Sequence, residues 1–330
     1  MQFRAEFFPK PFAQKIRHSD AMMLVGSCFT EQVGNKLLHN KFKVLQNPNG
    51  ILFNPISICQ SIESYIHNIP AKKEDLFYSN ELWGSWQHHT RFSSPDAEVT
   101  LARINEERSR AHHFLQQSEW LMLTLGSAFV YELVGAEDNN YENVVANCHK
   151  VPTDKFNRRL LKQEEIVDQF TRLLDLLKER FPHLKIIFTI SPVRHLREGF
   201  IENNRSKAAL ISAVHELLQE GRVFYFAAYE LVLDDLRDYR FYAEDLVHPN
   251  YAATNYVWEK FITACVDEEA QAIMKELSGI LSAVNHKPFN PASAQHAAFK
   301  KTYLEKALRM AEKYEHIDLS GEIRFLKEQN

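Results

Sequence analysis

Two short stretches, far apart in the chain, carry side chains that could attack a carbonyl and move a proton. Gly26-Ser27-Cys28 follows the apolar run AMMLV at 21–25 and precedes a segment with Val33, Leu37 and Leu38 at helical spacing, for which Thr30 is the expected N-cap. A serine at such a strand-to-helix turn presents its hydroxyl, and the N–H groups of the coming helix face an incoming oxyanion. The same turn is also where serines cap helices without doing chemistry. Cys28 is the neighbouring alternative nucleophile, and a packed thiol is the plainer reading. Asp245 and His248 form D-x-x-H. The carboxylate can accept from one ring nitrogen, fix the tautomer and leave the other nitrogen to take a proton from a hydroxyl. D-x-x-H alone is common and often marks a surface ion pair. It gains weight by following the last expected strand, while Ser27 follows the first.

The elements that must position these groups alternate regularly. Apolar runs expected as strands are 21–25, 43–45, 119–125, 185–190 and 223–226, and helices are expected between them at 30–40, from Pro55 onward, at 97–117, 162–181 and 206–220. Strand–helix alternation implies a parallel sheet covered on both faces, with ligands at the C-terminal strand ends. Two insertions read as hairpins. One is the aromatic stretch 76–93, and the other joins 128–134 to 143–151 across the turn GAEDNN at 135–140. After the closing helix Tyr251–Cys265 the chain is helical and charged, with helices expected at 267–284 and 294–314. The division expected is an α/β domain at 1–266 and a helical extension at 267–330 that packs on it or mediates a homodimer.

Other strand-end residues have two readings each. Arg194 and His195 in SPVRH could bind substrate oxygens, or Arg194 could make a structural carboxylate pair. His88-His89 lack further ligands at metal spacing, so no metal is expected. Trp83, Trp86 and Phe92 could wall a sugar or acyl site, although hairpin packing suffices to explain them. The run DDLRDYR at 234–240 reads as a solvated face. A dinucleotide site would need G-x-G-x-x-G where the chain has G-S-C-F-T-E, and no P-loop pattern occurs, so no cofactor is expected.

The 330 residues are 45% hydrophobic and 25% charged with net charge −4, which excludes disordered and fibrous classes and offers no basic footprint for nucleic acid. The four cysteines are scattered without a CxxC, as free thiols in a reducing compartment would be. With no apolar h-region near Met1 and no apolar span of about 18 residues, a cytoplasmic protein without membrane insertion is expected.

Taken together, Gly26-Ser27-Cys28-Phe29-Thr30, NPNGILFNPISI, LTLGSAFVY, NCHKVP, SPVRH and LRDYRFYAEDLVHPN, in that order, resemble the GSCFA family over roughly residues 22–261. Thr30 stands where that family often has alanine. The family is similar in layout to the SGNH (GDSL-like) hydrolases. The resemblance implies a flavodoxin-like three-layer α/β/α sandwich with about five parallel strands. It also implies a triad of Ser27, Asp245 and His248 acting through an acyl-enzyme. The SGNH aspartate before the serine is Gly26 here, and its G-x-N-D is Gly126-Ser127-Ala128-Phe129, without the oxyanion asparagine. Asn49, Gly50 and Asn147 are candidate replacements, with Gly126, Arg194 and His195 as further substrate-binding candidates. The expected activity is hydrolysis of an ester, such as an O-acylated carbohydrate. The alternatives are an O-acyltransferase or a degenerate relative that binds a ligand or partner.

Overall fold

The computed structural model describes residues 4–135 and 141–328. The chain opens with β1 (Ala21–Gly26), α1 (Cys28–His39), β2 (Lys43–Gln46) and α2 (Pro55–His67). The hairpin β3 (Phe77–Ser79) and β4 (Leu82–Gly84) leads to α3 (Ala97–Gln116), and β5 (Trp120–Leu125) to a second hairpin, β6 (Phe129–Leu133) and β7 (Phe156–Leu160). Then follow α4 (Gln163–Arg180), β8 (Lys185–Ile190), α5 (Phe200–Glu216), β9 (Val223–Phe226), the helical turn α6 (Ala228–Glu230) and α7 (Tyr251–Cys265). The chain ends with α8 (Glu268–Asn285), α9 (Ala294–Lys313) and α10 (Ser320–Lys327).

Five strands form one sheet in the order β2-β1-β5-β8-β9, every neighbour parallel. This is the flavodoxin-like strand order, and the fold is the expected three-layer α/β/α sandwich. β1 and β5 are buried at every residue, because alternate side chains feed opposite layers. Met23, Val25, Leu121 and Leu123 pack with α2 to α5, whereas Met22, Leu24, Trp120 and Met122 pack with α1 and α7. From Ile273 onward α8 packs with α9 and α10 around a separate apolar cluster.

α1 starts at Cys28, two residues before the expected Thr30 cap. Ser27 itself is the N-cap, with Oγ accepting from the Phe29 N–H at 3.3 Å, while Thr30 is buried in the first turn. α5 likewise starts at Phe200 instead of 206, capped by no side chain.

The second hairpin has a different partner from the one expected. β6 pairs with β7 from Phe129–Leu160 to Leu133–Phe156, and the 143–151 segment touches β6 by the single bridge Glu132–Val144. Arg159 of β7 bonds Glu132 at 2.8 Å and Glu165 at 2.7 Å, an anchoring that the 143–151 segment cannot supply. Of the expected turn, residues 136–140 lie outside the described residues. The 234–240 run is not simply a solvated face either. Asp235 is buried in a π-helical turn and accepts from the Tyr256 hydroxyl at 2.6 Å.

Gly26 permits the tight seam between β1 and β5. Its φ is +148°, and a Cβ there would lie 2.2 Å from the Thr124 carbonyl oxygen. Gly26→Ala should therefore lower the unfolding free energy by about 1–3 kcal/mol or more, as overpacked cores do. Gly321→Ala, whose methyl would meet nothing within 4 Å, should shift it far less. Urea denaturation of both variants measures the contrast.

Candidate active site at the C-terminal edge of the sheet

Ser27 sits one residue beyond β1 with no solvent exposure, its N–H donating to the Thr124 carbonyl at 3.2 Å. The hydroxyl oxygen accepts from Phe29, which leaves the hydroxyl hydrogen out of that contact. The adjacent Cys28 thiol is pushed above its ordinary range by burial, which outweighs the backbone N–H groups of Phe29 and Cys28 that pull it down. A thiol so placed is a poor nucleophile at neutral pH.

Asp245 and His248 make the contact that their spacing suggests, Nδ1 to Oδ2 at 2.6 Å. The other carboxylate oxygen accepts from the backbone N–H groups of Val247 at 2.9 Å and His248 at 3.0 Å. Those N–H groups, with the ring, hold the Asp245 carboxyl down at about 2. Leu246 adopts φ +58° to close this tight turn. Both side chains are about half exposed, 49% for Asp245 and 50% for His248. The loop is docked by Arg194, whose N–H donates to the Val247 carbonyl at 3.2 Å.

No hydrogen bond joins Ser27 to His248 directly among the described residues. Ser27 follows β1, and the His248 loop is bonded to the turn after β8, so both lie at the C-terminal edge of the sheet. The Lys207 ammonium acts on Cys28, and both Lys207 and His248 act on His195. Lys207 of α5 is a central group that the sequence reading missed. It is 2% exposed, and its Nζ donates to the Gly126 carbonyl at 2.6 Å and the Ser191 carbonyl at 2.7 Å, tying the ends of β5 and β8 together. The available signal was a lysine on the buried stripe Asn203, Lys207, Leu210, Val214 of an amphipathic helix.

His195 is mostly buried. Its backbone N–H donates to Asn203 Oδ1 at 2.9 Å, and its ring meets Phe53 edge-on with centroids 5.4 Å apart. Burial, then Lys207 and His248, hold the imidazole down at about 4, so it is neutral at pH 7. Nε2 is buried without a hydrogen-bond partner.

The remaining expected residues divide. Arg194 makes no carboxylate pair among the described residues, and its guanidinium lies 4.3 Å from the Tyr242 ring centroid. Asn49 and Gly50, expected to face an oxyanion, are engaged elsewhere. The Asn49 amide donates to the Gln87 carbonyl at 3.3 Å, and the Gly50 N–H to the Asn47 carbonyl at 2.8 Å. The Gly126 N–H is taken by the Phe53 carbonyl at 2.9 Å. Asn147 accepts from the His149 N–H at 2.8 Å and, with Phe53, Ser127, His195 and Arg197, lines a cavity of about 620 Å³. In the hairpin, Trp86 stacks on Phe77 at 3.7 Å, and His88 is buried against Ser85 Oγ at 2.9 Å. Among the described residues no three His, Cys, Asp or Glu side chains gather as a metal would require, and no helix is long and apolar enough to cross a membrane.

Burial pushes Lys207 down to about 7, against about 10.4 for a free lysine. Between those values the unfolded chain binds a proton that the folded chain does not, so stability rises with pH from about 7 toward 10. Below about 7 the folded chain must carry the buried charge, and the full cost is present. Denaturant titrations at pH 7, 8 and 9 should show that rise in the wild type and a flatter profile in Lys207→Met. Equal slopes would show that the ammonium is not perturbed.

Comparison with known proteins places this geometry in context. A comparison with curated proteins finds no match. Among solved structures, a carbohydrate esterase family 3 protein from Talaromyces cellulolyticus aligns at 11% identity and TM-score 0.37, and an acetyl esterase mutant with acetate ion at 11% and 0.35. Each alignment covers 78% of this chain and 99% of the other. At such TM-scores the likeness carries no argument about activity. The family models are decisive: the GSCFA family model matches residues 21–261 and that of the GSCFA domain protein, C-terminal domain, matches 277–330, so the chain belongs to the GSCFA family.

Proposed function

We propose that this protein is a serine ester hydrolase acting on small esters such as O-acylated carbohydrates. The observation that carries the reading is the Asp245–His248 pair at 2.6 Å, held on a loop bonded to the turn after β8. With Nδ1 committed to Asp245, His248 Nε2 is the nitrogen left to accept a proton. Ser27 Oγ would form a bond to the ester carbonyl carbon while its proton passes to His248 Nε2 and the carbonyl π pair moves onto oxygen. Collapse of that adduct breaks the bond to the leaving alcohol, which takes the proton from His248. Water then repeats the sequence on the acyl-enzyme and releases the acid. Another hydroxyl in place of water would make the reaction an acyl transfer.

A second reading rests on the buried Ser27, which has no direct bond to His248: a relative that binds a ligand and turns nothing over. A fluorophosphonate separates the two, since only an activated Ser27 is labelled. Ser27→Ala should abolish p-nitrophenyl acetate turnover. Loss of the cap costs about 0.5–2 kcal/mol, so its melt should fall by only a few degrees. Turnover retained in Ser27→Ala would remove Ser27 from the mechanism.

A further inference from the structure

An oxyanion at the Ser27 adduct needs donors about 2.7–3.1 Å away. The N–H of Ser27 donates to Thr124, that of Gly50 to Asn47, those of Gly126 and Ser127 to Phe53, and the Asn49 amide to Gln87. Lys207 Nζ gives two of its N–H groups to the Gly126 and Ser191 carbonyls. Two buried nitrogens on the turn after β8 have no partner among the described residues, Arg194 Nη1 and His195 Nε2, and it is His195 Nε2 that lies 3.2 Å from where a side chain at position 126 would begin. Glycine at 126 lets this nitrogen and the Phe53 carbonyl approach the end of β5, where a Cβ would lie 3.2 Å from each. A buried polar atom without a partner calls for an explanation, and a ligand atom present only during reaction is one.

We propose that His195 donates an Nε2–H hydrogen bond to the oxyanion formed at Ser27, supplying the donor that position 128, an alanine, does not. This deepens the hydrolase reading and rests on it. The chemistry suits a neutral ring, which donates one hydrogen and keeps it. The titratable groups that act on the ring are Lys207 from α5 and His248 from its loop, and no carboxylate is among them to favour the imidazolium. The backbone N–H bond to Asn203 fixes the residue in its turn, and the edge contact with Phe53 packs against its ring.

The test compares wild type, Ser27→Ala, His195→Ala and His195→Gln on p-nitrophenyl acetate. His195→Ala should lose about 100–1,000-fold in kcat, the usual effect of removing one oxyanion donor, with KM little changed. His195→Gln, which retains an N–H donor, should recover part of the loss. An active wild type with an unimpaired His195→Ala overturns the inference and leaves ester hydrolysis standing. A wild type no more active than Ser27→Ala overturns the hydrolase reading and the inference with it. Nitrogen-15 NMR of the His195 ring gives a readout that does not depend on variant folding. A neutral ring protonated at Nε2 is expected at pH 6–8, and an imidazolium or an Nδ1–H tautomer there overturns the proposal.

Discussion

A sheet whose strands all run one way delivers every strand-to-helix turn to the same edge. That constraint underlies this molecule: β1, β5, β8 and β9 are parallel neighbours, so the residues after them become neighbours whatever their separation in sequence. Two contacts hold the edge together. At β1 and β5, Gly26 lets the backbones meet at the Thr124 carbonyl with no side chain between them. At β5 and β8, the Lys207 ammonium bonds the first carbonyls beyond both strands, Gly126 and Ser191.

Those contacts give the edge an unusual charge balance. A buried cation normally has an anion beside it, because desolvation is costly. Lys207 has carbonyl dipoles and the Tyr229 ring, whose centroid lies 5.8 Å from Nζ. The nearby imidazole of His195 is held neutral, and the Cys28 thiol remains protonated because burial outweighs its helix N-terminus. The one carboxylate built into the D-x-x-H loop, Asp245, is fixed by two backbone N–H groups and faces solvent.

The layers were legible because buried parallel strands are unbroken apolar runs, and β8, β9 and α7 fall at the boundaries expected. The second hairpin was not, because 143–151 (NVVANCHKV) is the more apolar segment and lies nearer to β6, whereas β7 (FNRRL) is apolar only at Phe156 and Leu160. Of the ion pairs Arg159 makes, the one that ties β7 to β6, with Glu132, joins residues 27 apart in sequence. Lys207 was hidden for a related reason. A lysine in a helix reads as solvated unless the depth of the facing layer is known, and only its place on the buried stripe hinted otherwise. Asn49 and Gly50 lie on the loop after β2, but which way an amide or N–H points is a matter of its hydrogen-bond partners.

Sequence alone determined the alternation of strands and helices, the turn that carries Ser27 and the local D-x-x-H pair, because each depends on residues within a few positions of one another. Tertiary structure decided which donors at the edge are already engaged, which histidine is stripped of water and which lysine is enclosed. Those outcomes depend on burial and on hydrogen bonds between segments far apart in the chain, such as Lys207 to Gly126 and Ser27 to Thr124, and no local pattern records them.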